Sequence, residues 1–331
     1  MEDLMRRFFL ILLFGLVMVG SSLDPGGVFL LIFPGSRATA LGGAFCAIDD
    51  DVFGTYYNAA SLGFSTKRLI GLQHANWLPA LWPDMYYEYL SYVQPLREGL
   101  VLSGALTYIT TGETYPVIDG QEYEPFRNYD LSILFSVSSV VYKNLSLSFG
   151  IKYIFSFLAP DWLVREIGYQ GGGQGQAWAM DLSAFYKFNE RINLGLSLQN
   201  FGTQLQYVEG GEKDELPRTL RVGASYIPYK TGMHKVLLSA DLIKILVGIR
   251  LGETTIRDEW KDTWKALGIE YTLLNIFNFR LGYFVDQVGE RVGPTFGLGI
   301  NYKSIRFDVG VDQLIYSFET SNYRISVQYG F

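Results

Sequence analysis

The chain ends on Asn322-Tyr323-Arg324-Ile325-Ser326-Val327-Gln328-Tyr329-Gly330-Phe331. Tyr323, Ile325, Val327, Tyr329 and Phe331 fall on one side of a two-residue period. Asn322, Arg324, Ser326, Gln328 and Gly330 fall on the other. Side chains of a β-strand point alternately to its two faces, so this stretch reads as a strand with one greasy face and one polar face. At the open edge of a soluble sheet, such a strand would invite pairing with other chains. In the wall of a closed barrel it has no free edge, and its apolar face is covered by lipid.

The same period recurs upstream. Leu145, Leu147, Phe149, Ile151 and Tyr153 interleave with Ser146, Ser148, Gly150 and Lys152. Ile192 to Leu198, Leu220 to Tyr226 and Phe296 to Tyr302 repeat the pattern. Many of these runs reach the length of about ten residues that a tilted strand needs to cross a bilayer. Strands are expected at 67–75, 85–95, 99–110, 128–141, 144–158, 177–187, 190–200, 217–227, 234–243, 261–272, 276–284, 292–302, 304–312 and 322–331. The links 96–98, 142–143, 188–189, 228–233, 273–275 and 303 are short. Those at 76–84, 111–127, 159–176, 201–216, 244–260, 285–291 and 313–321 are mostly longer. Short inner turns alternating with longer outer loops, and an even strand count, predict an all-β, antiparallel transmembrane barrel of about 14 strands spanning residues 67–331, with surrounding outer-membrane lipid. The terminal strand also resembles the signature that bacterial outer-membrane barrels present to the barrel-assembly machinery, with Tyr329 and Phe331 as its aromatic positions.

Composition agrees. Of 331 residues, 49% are hydrophobic, 16% aromatic and 18% charged, which excludes intrinsic disorder. One cysteine and two histidines exclude a disulfide scaffold and a Cys/His zinc cage. A formal net charge of −6 offers no basic field for nucleic acid. Residues 1–22 carry Arg6-Arg7, an apolar run from Phe8 to Val19, and Gly20-Ser21-Ser22. These are the three parts of a secretory signal peptide, and the apolar run is short for a helix that must span about 20 residues.

The polar strand face carries Lys152, Asp181, Arg221, Asp241, Glu270, Arg280, Arg306, Asp308, Asp312 and Arg324, five acids and five bases. The expected hairpins place Lys152 near Asp181 and Glu270 near Arg280, within reach for internal ion pairs. A barrel of this strand number needs filling. Residues 23–66 are the expected plug, with small residues from Gly35 to Ala44 for close backbone approach. Asp49-Asp50-Asp51 is expected to cap a short helix over 52–58. The spacing of these three carboxylates matches no EF-hand loop, and Gly42-Gly43 opens no nucleotide-binding helix.

Within that segment, Arg37, Ala38, Gly42, Ala44, Ala47, Asp50, Asp51, Tyr57, Asn58, Ala60 and Leu62 fit a family pattern. It runs roughly small-Arg-Ala-x-x-x-Gly-x-Ala-x-x-Ala, an Asp pair, then Tyr-Asn-Pro-Ala-x-Leu. Ala59 stands where the pattern has Pro, so a looser turn is expected there. Gln73 to Trp77, Tyr87 to Leu90, Leu198 to Gly202, Leu216 to Gly223 and Arg291 to Gly299 extend the match. The chain thus resembles the PorV/PorQ family, itself similar to FadL-type fatty-acid channels. The resemblance implies an outer-membrane barrel of fourteen strands with an N-terminal plug. It further implies either the binding and passing on of secreted cargo proteins at the type IX secretion translocon, or uptake of hydrophobic molecules through a plugged lumen.

The loops supply the candidate contacts. Trp77, Leu78, Leu81 and Trp82 make the first outer loop strongly apolar, and Phe157, Trp162 and Leu163 add a second apolar cluster. Exposed apolar patches mark partner or ligand sites. An aromatic girdle at the headgroup level is the rival reading for these residues. Arg37, Asp50, Asp51, Tyr57 and Asn58 are the expected plug-fixing residues. No Ser/His/Asp arrangement or nucleophile elbow can be placed, so neither catalysis nor a cofactor is expected.

Overall fold

A computed structural model describes residues 19–20, 25–247, 250–251, 255–316, 318–320 and 322–331. The expected signal peptide lies largely outside them. Fourteen strands among the described residues form a closed antiparallel barrel. They are β1 Leu69–Asn76, β2 Tyr86–Arg97, β3 Leu100–Thr114, β4 Phe126–Tyr142, β5 Leu145–Phe157, β6 Gln174–Lys187 and β7 Ile192–Gly202. They continue as β8 Thr219–Lys230, β9 His234–Ile245, β10 Trp264–Leu273, β11 Phe277–Asp286, β12 Arg291–Tyr302, β13 Ile305–Val311 and β14 Tyr323–Gly330. Each pairs with its neighbour in sequence, and β14 returns to β1 in register from Arg324↔Ala75 to Gly330↔Leu69. Arg68 and Phe331 extend that seam, each backbone N–H donating to the other's carbonyl at 3.1 and 3.0 Å.

The period-two pattern sets the two faces. On β14, Tyr323, Ile325, Val327 and Tyr329 are exposed on the outer wall, while Arg324, Ser326 and Gln328 are buried inside. The strands are joined at the end holding the chain terminus by brief turns such as 98–99, 143–144 and 303–304. The opposite end carries the links 77–85, 115–125, 158–173, 203–218, 246–263 and 312–322. Residues 287–290, expected to be among the longer loops, form only a turn because β11 and β12 extend to Asp286 and Arg291.

Residues 25–66 fold against the inner face of this wall. They contain helices α1 Ser36–Ala40 and α2 Gly54–Tyr57, and a 3₁₀ helix Ala59–Phe64. The wall accommodates them through glycines whose missing side chains make room. A Cβ on Gly282 would collide with the backbone of Leu41 and Gly42, and one on Gly297 with the side chain of Ala40. Asn58 supplies what the absent proline does not. Its Oδ1 accepts the Ala60 N–H at 3.1 Å, capping the 3₁₀ turn, while its Nδ2 donates to Cys46 O at 2.9 Å and Ala184 O at 3.0 Å. Tyr57 donates its hydroxyl to Pro34 O at 2.8 Å.

Asp51 departs from the expected capping role. Its Oδ1 accepts the Phe53 N–H at 3.0 Å, but α2 starts beyond it with no side-chain cap. Its Oδ2 instead meets Arg37 at 3.1 Å and Arg306 at 2.9 Å. One buried and one half-buried guanidinium outbid a helix terminus for the buried Asp51 carboxylate, because a charge removed from water needs an opposite charge. Asp49 turns away to Lys187 at 3.0 Å, and Asp50 is exposed with a left-handed φ of 61°. Asp50 still approaches Arg306, at 3.9 Å, so Asp50 and Asp51 share one cation while Asp49 points elsewhere.

The pairs expected across the strands are present. Lys152 meets Asp181 at 3.0 Å, and Glu270 lies in register opposite Arg280, at 2.6 Å. The second pair belongs to a longer chain of charges. Arg306, Asp51, Arg37, Glu270, Arg280 and Asp308 follow one another, with Arg37 binding Glu270 through two bonds of 2.7 Å and Arg280 meeting Asp308 at 2.7 Å. Three cations alternate with three anions, so the network is neutral while its members are mostly out of water. Burial disfavours the Arg37 charge, yet Glu270 and Asp51 outweigh it and hold its pKa well above the ordinary value. Replacing Arg37 by Leu strands two carboxylates on its side of the network, although Arg280 and Arg306 still reach them. The expected cost is about 3 kcal/mol, the lower end for breaking a buried pair, confined to residues 25–66. Hydrogen exchange should show that segment opening at a lower urea concentration while the strand amides keep their protection.

Candidate functional site

Above residues 25–66, the outer end of the lumen holds a cavity of about 440 Å³. Its volume lies in the range of small-molecule sites, about 300–1,000 Å³. The sequence makes its floor from the apolar run Phe29-Leu30-Leu31-Ile32-Phe33, of which Phe29, Leu31, Ile32 and Phe33 reach the cavity. The walls come from strand ends: Ile109 on β3, Trp264 opening β10, Phe284 near the end of β11 and Thr295 on β12. Trp77 and Met85, from the two ends of the first outer link, and Ile315 and Tyr316 from the link before β14 complete the lining.

The rings form a connected aromatic wall. Phe33 sits 5.7 Å from Phe284 and 6.3 Å from Trp264, both edge-on. Edge-to-face geometry places positive ring edges against negative ring faces, which fixes the rings relative to one another. Arg324 and Arg291 reach the lining already engaged with partners, and Asp130 of β4 adds a carboxylate to the wall. Arg324 meets Asp312 at 2.5 Å, donates to Phe33 O and lies 4.9 Å over Trp77. Arg291 meets Asp286 at 2.7 Å and lies 4.7 Å over the Trp264 ring. What remains open to a guest is a mostly apolar, aromatic surface, with Asp130, Thr39 and Thr111 as its polar points.

A second buried centre fixes the floor. Arg221 Nη1 donates to Gly43 O at 2.9 Å and to Asp241 at 3.1 Å, and Asp241 Oδ2 accepts the Phe45 and Cys46 N–H groups at 3.0 and 2.9 Å. The Arg221 guanidinium lies 4.9 Å from the Phe33 ring and 5.0 Å from that of Tyr57.

The residues predicted from the loops divide into three places. Trp77 turns inward to the cavity, edge-on to Tyr316 at 6.4 Å, instead of meeting solvent. Leu78 is half-buried in the turn that follows it, whereas Leu81 and Trp82 are exposed at 58% and 46%. Phe157 faces outward on β5. It stacks on Tyr129 at 5.5 Å, which continues through Tyr108 at 5.8 Å to Tyr86 at 5.9 Å. That row is an aromatic girdle, the place where amphipathic rings meet lipid headgroups. Trp162 opens the short helix α3 Asp161–Glu166 and stacks on Tyr123 at 5.4 Å, while remaining 42% exposed. Leu163 beside it is half-buried. The outer links 77–85, 115–125 and 158–173 thus present exposed apolar side chains, Tyr115, Val117 and Ile167 among them.

Sequence reasoning missed Trp264, Phe284 and Ile315, which look like ordinary strand or loop residues until the barrel closes. The apolar run at 29–33 was the available signal for the cavity floor. Of the plug candidates, Arg37, Asp51, Tyr57 and Asn58 are buried in bonded positions, and Asp50 is not.

Solved structures of similar fold span nearly the whole chain. The toluene transporter TbuX of Ralstonia pickettii has a TM-score of 0.57 at 14% identity, over 92% of this chain and 99% of that one. The P. putida toluene transporter TodX has a TM-score of 0.55 at 14% identity, over 90% and 98%. A Pseudomonas aeruginosa FadL homologue has 0.50 at 11%, over 89% and 97%. These likenesses establish a FadL-like barrel fold. No curated protein matches the chain. The family described as type IX secretion system protein PorV matches residues 22–251. With the closed fourteen-strand barrel, that match makes this a bacterial outer-membrane protein, and the chain belongs to the PorV family.

Proposed function

We propose that the chain is a non-enzymatic component of type IX secretion that holds exported proteins at the outer mouth of the barrel, with residues 25–66 as its plug. The observation that carries this reading is the set of exposed aromatic and aliphatic side chains on the outer links, above a lumen occupied by the N-terminal segment. Binding energy at interfaces concentrates in aromatic anchors, and Trp82 and Trp162 have the exposure to serve as such. The plug is held by the Arg37 charge network and by hydrogen bonds from Thr295, Ser225 and Ser138 of the wall to Ala40, Ala47 and Ala59 carbonyls, at 3.1, 2.7 and 2.7 Å. Cys46 offers no nucleophile, since burial first, and Asp241 next, push its thiol pKa well up.

A second reading rests on the cavity itself. Its aromatic floor and volume suit a small apolar solute, and the chain would then act as a FadL-like channel for hydrophobic molecules. Ligand would enter beside Trp77 and rest on Phe29 and Phe33. The two readings use different residues, so they separate experimentally.

Three outcomes are expected. Leu81→Asp with Trp82→Asp leaves the barrel inserted and weakens capture of a secreted cargo protein at least tenfold in a pull-down, about 1.4 kcal/mol; unchanged capture removes these residues from the contact. Ile315→Trp fills the cavity and lowers affinity for a small aromatic solute such as toluene about tenfold in a binding isotherm, with cargo capture unaffected. Gly297→Leu intrudes on Ala40, displaces the plug and raises conductance in a planar bilayer, whereas wild-type conductance would mean that the segment does not seal the lumen.

A further inference from the structure

A separate cavity of about 780 Å³ lies at the outer end of β5, β6 and β7, against the 203–218 link. One side is formed by Phe155 on β5 and Gln174 and Gln176 on β6, and the other by Gln204, Lys213 and Arg218 of the 203–218 link. The β5–β6 register fixes its height. Phe155 pairs with Gln176 two residues above the pair Tyr153↔Trp178, whose rings lie 5.0 Å apart. Strand residues rise about 3.4 Å each, so Gln176 stands roughly 7 Å and Gln174 roughly 14 Å beyond that aromatic pair.

Below them the outward residues of β6 are Trp178, Met180 and Leu182, all exposed and suited to hydrocarbon. Along β6 the outward residues change at Gln176 from apolar groups to amides, while β5 beside it carries Phe155 and Phe157. Tyr153 donates its hydroxyl to Gln176 Oε1 at 3.1 Å, tying the first amide to the belt. Aromatic belts mark the headgroup level of a bilayer, so this cavity faces headgroups rather than acyl chains.

Its lining chemistry is specific. Amides both donate and accept, which matches the paired hydroxyls of a sugar. Lys213 and Arg218 add two cations, and no carboxylate belongs to the lining. Arg218 also meets Glu215, at 3.5 Å, beside the cavity. Phe155 offers a ring against which the apolar face of a sugar can lie.

We propose that this cavity holds the phosphorylated sugar headgroup of an outer-leaflet glycolipid, with Lys213 and Arg218 on phosphate and the glutamines on hydroxyls. The bound lipid would brace the 203–218 link, which is bridged to the neighbouring outer loop through Gly172↔Val208.

The test titrates the purified barrel in detergent with lipopolysaccharide, with the same lipid after phosphatase treatment, and with glucosamine 1-phosphate. Wild type should bind the phosphorylated lipid at least tenfold more tightly than the dephosphorylated one. Lys213→Glu with Arg218→Glu should lose at least tenfold, and Gln174→Leu with Gln176→Leu several-fold, each variant keeping the heat-modifiable mobility of a folded barrel. Equal binding of both lipid forms to wild type overturns the phosphate contact without recourse to any variant. Binding of the soluble sugar phosphate as tightly as the lipid would overturn the lipid assignment in favour of a free phosphosugar.

Discussion

A backbone N–H or C=O without a partner in hydrocarbon costs several kcal/mol, and a sheet that crosses lipid must therefore have no edge. The seam between β1 and β14 meets that requirement here. Leu69 to Ala75 pair with Arg324 to Gly330, and the Arg68–Phe331 pair continues the ladder beyond both strands. Closure at this seam fixes which face of each strand looks inward. Once β14 is registered against β1, Arg324 and Gln328 must point into the lumen, and so must their counterparts around the wall.

That inward set creates a second constraint. A wall carrying Arg221, Asp241, Glu270, Arg280, Arg306 and Asp308 cannot be left as isolated charges in a narrow interior. The strands pair some of them directly. Residues 25–66 complete the set: Asp51 answers Arg306, Arg37 bridges Glu270 to Asp51, and the Phe45 and Cys46 amides add to the Arg221 contact on Asp241. The N-terminal segment is thus joined to the wall's own ion pairs through Arg37 and Asp51. Its fit also depends on small wall residues such as Gly282 and Gly297, where backbone meets backbone.

How much of this is legible in the sequence follows from the range of each interaction. Strand faces repeat every two residues, and hairpin partners lie close in sequence, so Glu270 opposite Arg280 could be placed from alternation and turn position alone. Arg37 to Glu270 could not, because its 233-residue separation is spanned only after the barrel has closed. Asp51 was misjudged for the same reason: locally it looks like a helix cap, and only the lumen supplies two guanidiniums. Trp77 illustrates a different ambiguity. An apolar loop residue can face solvent, lipid or a cavity, and composition does not choose among them. Arg324 does, by presenting a cation beneath its ring.

The division of the outer end into an inward cavity, an outward girdle and exposed loops bears directly on function. Phe33, Trp264 and Phe284 turn their apolar surface inward, where a guest must be small. Leu81, Trp82 and Trp162 turn theirs outward, where a guest can be a protein. A channel needs the first set and a mobile floor, yet the floor here is tied by Arg221 to Gly43 O, Asp241 and two aromatic rings. Moving it would expose a buried ion pair and break several hydrogen bonds at once. A carrier needs only the second set and a sealed barrel beneath it. The bonding of the floor is therefore the feature on which the proposed capture at the rim and the proposed channel differ: the first leaves it in place and the second must break it.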